Sequence, residues 1–380
     1  MADVQGVCDD RFKGLRDVFG SQIDSGEDLG ASLALTIDGA PLVDLWGGWF
    51  DEAQTTAWQQ DTIVNVWSTT KTMTNLCALI LADRGLLDVY EKVATYWPEF
   101  AANGKEDIEV RHLLAHTSGV SGWAQPVVLE DLYDWDKSTS MLAAQEPWWQ
   151  PGTASGYHAL NQGHLVGEVI RRIDGRTLGP FFKEEVAEPL GADFHIGIDP
   201  SEFGRISDVI PPPPLPFDLE NIDMEGPAVK TLTGPLIDVP AVNQAPWRQA
   251  QIGAANGHGN ARSVARIQAL VANGGEVDGV RLLSPDTIKL IFDEQANGVD
   301  LVLGIPLRFG IGYGLPEPET LPYLPTDAGI CFWGGYGGSM IIVDTDRNMT
   351  VSYMMNKMNA GIIGSPRSAA LIEATYEALS

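Results

Sequence analysis

Ser68 and Lys71 are separated by two threonines, and on a helix that spacing puts the lysine amine on the same face as the serine hydroxyl. An amine held there can take the serine proton if it is neutral part of the time, which burial or a nearby cation arranges. Around the pair, TIVNVWSTTKTMTNLCALILADRGLL changes from strand period to helix period. Met73, Leu76, Ile80 and Leu81 form its apolar stripe and Gly85 its stop. Ser68 is therefore expected where a helix begins and where free backbone N–H groups favour a developing oxyanion. Taken alone, the pair is more simply a serine N-cap and a solvated lysine.

The histidines give weaker signals. His112 and His116 stand four apart on an expected helix, which is metal-ligand spacing, but HLLAH lacks the glutamate of HExxH and a structural role is expected. His158 has no nucleophile elbow to serve, because GxSxG does not occur in the sequence. His258, in NGHGNARS, is expected to hold a turn against the sheet. GIGYG at 310–314 and GGYGG at 334–338 form neither dinucleotide nor P-loop patterns. The acidic runs Glu27-Asp28 and Glu184-Glu185 read as solvated surface.

The elements that must position Ser68 follow from periodicity. Residues 9–24 form an amphipathic helix, and ASLALTIDGAPLVDLWGGW forms two strands around an Asp38-Gly39 turn. Trp-rich and Pro-rich sequence with short helical patterns fills about 90 to 255, including PPPPLP at 211–216, which excludes regular helix. Beyond 255 come the helix ARSVARIQALVANGG, two or three strands in CFWGGYGGSMIIVDTDRNMTVSYMMNKM, and a helix over 366–379. The expected class is α/β (α+β): a sheet domain from residues 1–90 and 255–380, interrupted by a mainly helical insertion, residues 91–254.

Composition narrows the partners. With 380 residues and 44% of them hydrophobic, the chain can bury a large core. Its 24 basic against 51 acidic side chains give a net charge of −27, which repels nucleic acid and anionic membrane. No apolar run approaches the ~20 residues of a membrane span. Three scattered cysteines without CxxC, and a start that lacks a signal-peptide pattern, lead to the expectation of a cytoplasmic protein.

Three motifs in order carry a family resemblance: Ser68-x-x-Lys71, then Tyr157-His158-Ala159 within PGTASGYHALNQGHLVGEVI, then Trp333-Gly334-Gly335 within FWGGYGGS. Together with VRHLLAHTSG (110–119) and NGHGNARSVARI (256–267), the sequence resembles the serine β-lactamase and penicillin-binding-protein superfamily over nearly its whole length. Within it, the resemblance is to the family VIII carboxylesterases with a class C β-lactamase-like fold. That implies an antiparallel sheet flanked by helices, with the insertion covering the active site. It implies Ser68 as nucleophile, Lys71 and Tyr157 as the general-base pair, and an oxyanion hole from the backbone N–H groups of Ser68 and Tyr336. Trp333, Gly334, Gly335 and His158 would face the substrate, with no metal and no cofactor. A Lys71 ammonium favouring a Tyr157 phenolate would give an alkaline optimum. Ala159 stands where class C enzymes have asparagine, and Trp333 where they have the lysine that binds the β-lactam carboxylate. The implied substrate is thus a small-molecule carboxylic ester with a small to medium acyl group. An amidase, an acyltransferase or a weak β-lactamase on the same fold is the alternative.

Overall fold

Strand β1 (Gln5–Cys8) and helix α1 (Lys13–Asp24) open the computed structural model, which describes residues 3–124, 126–213, 223–326 and 329–380. The hairpin β2 (Gly30–Ile37) and β3 (Ala40–Gly48) turns at Asp38 and Gly39 as expected, with φ of 52° and 77°. Positive φ at both positions matches the right-handed twist of the flanking strands. Next come β4 (Ile63–Asn65), a 3-10 turn (Trp67–Thr69) and α2 (Thr70–Asp83).

The middle of the chain contributes α3 (Val110–Leu114), α4 (Trp135–Ala144), α5 (Gln162–Asp174), β5 (Phe194–Ile196) and β6 (Ile206–Ser207). Then follow β7 (Gly257–Gly259), α6 (Ala261–Ala272) and the small hairpin β8 (Glu276–Val277) and β9 (Val280–Arg281). The last strands are β10 (Ala296–Val299), β11 (Pro306–Phe309), β12 (Gly314–Leu315), β13 (Ile330–Gly334), β14 (Met340–Asp344) and β15 (Met349–Met355), and α7 (Pro366–Glu377) closes the chain. Part of the PPPPLP run, from residue 214, lies outside the described residues.

Nine strands form one antiparallel sheet in the order β1-β3-β2-β15-β14-β13-β12-β11-β10, so the two chain ends meet at β2 and β15, from Met349 opposite Ile37 to Met355 opposite Ala31. This is the β-lactamase/penicillin-binding-protein-like arrangement. Helix α6 covers one face, where the Ala261 N–H donates to Ser32 Oγ (3.1 Å) and Thr350 Oγ1 to the Ala265 carbonyl (3.2 Å). On the other face a Cβ at Gly47 would come 3.1 Å from Ile23 of α1, which packs against α7. Covered on both sides, β2 reads as a nearly continuous buried run instead of an alternating one. A second sheet, β5-β7-β4-β6, takes β5 and β6 from within residues 91–254 and β4 and β7 from outside, so its ladder crosses the boundaries at 90 and 255. Among the described residues no helix is long and apolar enough to cross a membrane.

Two expectations from charge and spacing are corrected. Asp28 is buried, not solvated: it accepts from the Tyr353 hydroxyl (2.6 Å) and is ion-paired with Arg367. Glu184 and Glu185 remain partly exposed and pair with Arg176. Helix α3 ends at Leu114, so His116 is off it, at φ 61°, and does not share a helix face with His112.

Candidate active site

Ser68 lies in the 3-10 turn just before α2, and the residue is 7% exposed. The residue before it, Trp67, is held at φ 49°, a conformation that costs a bulky side chain of order 1–3 kcal/mol. Its surroundings impose that turn. The Val66 N–H donates to the Gly257 carbonyl (2.9 Å), while Thr70 Oγ1 donates to the Trp67 carbonyl (2.5 Å) and accepts from the Gly257 N–H (2.8 Å). The Trp67 ring packs edge-on to Tyr336 (5.4 Å) and tilted against Trp247 (6.0 Å).

One helical turn on, Lys71 Nζ stands 3.1 Å from Ser68 Oγ and donates to the carbonyls of Ala159 (2.8 Å) and Ala254 (3.0 Å). Tyr157 reaches the same oxygen, its hydroxyl donating to Ser68 Oγ at 2.6 Å, and Lys71 Nζ lies 4.6 Å from the centre of its ring. Burial holds the lysine ammonium well below the ordinary lysine range. Burial also pushes the phenol up; hydrogen bonding to Ser68 and the nearby Trp333 indole oppose this, and the Asp300 charge adds to it. Burial thus disfavours the charged form of each group. The expected ammonium–phenolate pair is not what this environment favours, since desolvation penalises both charges.

Strand β13 ends against the turn that carries Ser68. A Cβ on Gly335 would stand 2.4 Å from the Val66 carbonyl oxygen, so only glycine allows this approach. The following turn is closed by Gly335 N–H to the Ser339 carbonyl (2.9 Å), Gly337 N–H to the Gly361 carbonyl (2.9 Å) and Gly338 N–H to the Gly335 carbonyl (3.0 Å). Among the described residues the Tyr336 N–H forms no hydrogen bond, leaving it available beside the N-terminal turn that carries Ser68. Ser339 Oγ ties the two elements together through the Val66 carbonyl (2.9 Å) and Thr69 Oγ1 (3.0 Å).

This serine, lysine and tyrosine cluster sits within a chain whose residues 15–371 match the beta-lactamase family model. The chain belongs to the beta-lactamase family. Among family relatives, it is 33% identical over 375 residues to the esterase/beta-lactamase LipL of Mycobacterium tuberculosis, covering 95% of this chain and 84% of LipL. It is 27% identical over 349 residues to the esterase EstB of Burkholderia gladioli, covering 84% of this chain and 83% of EstB. The crystal structure of a family VIII carboxylesterase superposes with a TM-score of 0.93 at 39% identity, over 99% of this chain and 100% of that one.

Against that family background, the structure brings together Ser68, Lys71, Tyr157, Gly335 and Tyr336. Two side chains expected to face the substrate are buried. Trp333 is 3% exposed and packed among Tyr157, His116, Phe309 and Phe332. His158 is fully buried; Nδ1 meets the Gly156 carbonyl (2.6 Å) and Nε2 the Ser118 hydroxyl (2.6 Å), so both nitrogens are engaged by protein. His258 is on β7, not in a turn, with neither ring nitrogen bonded among the described residues. Of the tryptophans between residues 91 and 254, Trp247 reaches the Ser68 turn through Trp67 and Trp149 reaches His158, whereas Trp123 and Trp135 pack on His164. Sequence reasoning missed the Ala159 and Ala254 carbonyls, which carry no side-chain signal, and Asp300, whose Oδ1 accepts the Tyr157 N–H (3.0 Å).

Proposed function

We propose that the protein is a serine carboxylesterase that hydrolyses uncharged carboxylic esters with small to medium acyl groups through an acyl-enzyme on Ser68. The observation that carries this reading is the double contact on Ser68 Oγ, 3.1 Å from Lys71 Nζ and 2.6 Å from the Tyr157 hydroxyl. A neutral amine has two N–H bonds and one lone pair. With the N–H bonds directed to the Ala159 and Ala254 carbonyls, the lone pair is left for the Ser68 proton.

As Oγ bonds to the carbonyl carbon, its proton passes to Lys71 and the oxyanion is held by the Ser68 and Tyr336 N–H groups. The carbon–alkoxide bond then breaks, and the alkoxide takes the Tyr157 proton, which Lys71 restores through the network. Water repeats the sequence on the acyl-enzyme and returns Ser68. Esterase names among the relatives and the family VIII neighbour support the reaction class. We assign residues 91–254, which supply Tyr157, the Ala159 and Ala254 carbonyls and Trp247, as the part that covers and shapes the site. Residues 1–90 and 255–380 we assign as the sheet part that presents Ser68 and Tyr336.

β-Lactam hydrolysis is the second reading, favoured by the name of LipL. Trp333, standing where a carboxylate-binding lysine would, is neutral, and Lys71 is committed to carbonyls, which disfavours anionic substrates. Wild type and Ser68→Ala are compared on p-nitrophenyl butyrate and a chromogenic cephalosporin. Rapid ester cleavage that vanishes in Ser68→Ala, with little cephalosporin turnover, is expected; faster cephalosporin turnover would favour the second reading, and inactivity on both would reject the first.

A further inference from the structure

Tyr157 is held at its backbone by a carboxylate from a distant turn. Asp300 is 1% exposed, and its Oδ1 accepts three N–H groups: Tyr157 (3.0 Å), Val302 (2.9 Å) and Leu303 (2.9 Å). The turn is closed on itself by Gly304 N–H to the Asp300 carbonyl (2.9 Å) and Asp300 N–H to the Ile305 carbonyl (3.0 Å). A second tie, Leu301 N–H to the Ser155 carbonyl (2.9 Å), lies two residues before Tyr157. Residues 155–157 are therefore pinned at two points to a turn that is itself rigid, and the carboxylate is shared between turn and catalytic loop.

The other carboxylate oxygen, Oδ2, is buried with no partner among the described residues, an arrangement that costs free energy and that a turn needing only closure does not require. The Tyr157 ring packs against His116 (5.0 Å) and Trp333 (5.3 Å). Ring packing and the main-chain bond together hold the hydroxyl at its 2.6 Å contact with Ser68.

We propose that Asp300 is a positioning residue of the reaction, aiming the Tyr157 hydroxyl at the leaving-group oxygen through the single bond it makes to the Tyr157 main chain. This rests on the assignment of Tyr157 as the group that gives its proton to the leaving alkoxide. A displaced phenol costs little when the departing group is a stable anion and much when it must be protonated to leave.

The test compares kcat/KM for p-nitrophenyl butyrate and ethyl butyrate, which share an acyl group and differ in their need for that proton. Asp300→Ala should lower the ethyl ester roughly tenfold or more beyond any loss on the p-nitrophenyl ester. Asp300→Asn, whose amide oxygen can accept the same three N–H groups, should restore the ratio to within about threefold of wild type. Should Asp300→Ala not fold, Asp300→Glu, which keeps the charge but lengthens the arm by one methylene, must show the same split. Equal losses on both esters, or a split that Asp300→Asn does not repair, would reduce Asp300 to a structural turn residue and overturn the proposal. Tyr157→Phe is the separate control: if it shows no split, the assignment of Tyr157 as proton donor is what fails.

Discussion

At the residue scale, the decisive property of the site is the protonation of Lys71. The Ser-x-x-Lys spacing and Tyr157 are legible in the sequence, because they depend on helix period and motif order. The charge state is not legible, because it is set by complete burial among groups that come from residues 159 and 254. Only the neutral amine can accept the Ser68 proton, so kcat/KM should rise with pH as Lys71 loses its proton and level off above. Burial lowers that pKa, and the rise should therefore be complete at a pH well below the ordinary lysine value near ~10.4. A pH–rate profile on an uncharged ester checks this; a limb still climbing through pH ~10 would mean that Lys71 reacts from an ordinary, solvated state. Lys71→Ala should cost about 10²–10⁴-fold in kcat, the usual contribution of a positioned general base.

Elements decide whether the two sides of the reaction centre meet. The hairpin at Asp38-Gly39 and the helix after Ser68 follow from local signals, and both are present. The approach of β13 to the Ser68 turn has no local signal beyond its glycines, since 267 positions separate Ser68 from Gly335. The glycine is informative once the geometry is known: its Cβ would meet the Val66 carbonyl oxygen at 2.4 Å and Ser339 Oγ at 2.3 Å. Gly335→Ala must push the strand end away from the turn and carry the Tyr336 N–H with it. We expect kcat to fall roughly 10²–10³-fold, as when one oxyanion donor is removed, with KM little changed. The five residue pairs between β13 and β14 should preserve the sheet. Gly204→Ala, where an added Cβ meets nothing within 4 Å, should leave kcat and KM as they were, and steady-state kinetics on the two variants separates local crowding from a general cost of replacing glycine.

For the molecule as a whole, the question is what brings the two chain ends together, because the nine-stranded sheet whose strand β13 leads to Tyr336 is built from both. Periodicity shows strands at each end but not that β2 pairs with β15, and the Glu27-Asp28 run misleads because a charged pair is usually solvated. What buries Asp28 is Arg367, on α7, whose guanidinium pairs with it and donates also to the carbonyls of Glu27 (2.8 Å) and Lys357 (2.7 Å). A partner 339 positions away cannot be inferred from local sequence. Removing one member of a buried pair strands the other, so Arg367→Ala should destabilise the protein by about 3–5 kcal/mol. In an Asp28→Asn background the same substitution strands no charge and should cost distinctly less, a coupling that a double-mutant cycle in chemical denaturation measures. Equal costs in both backgrounds would mean that Arg367 holds the ends together through its carbonyl contacts and packing alone. A smaller cost in the Asp28→Asn background would make the ion pair the clasp on which the shared sheet, and with it the position of the Tyr336 N–H group, depends.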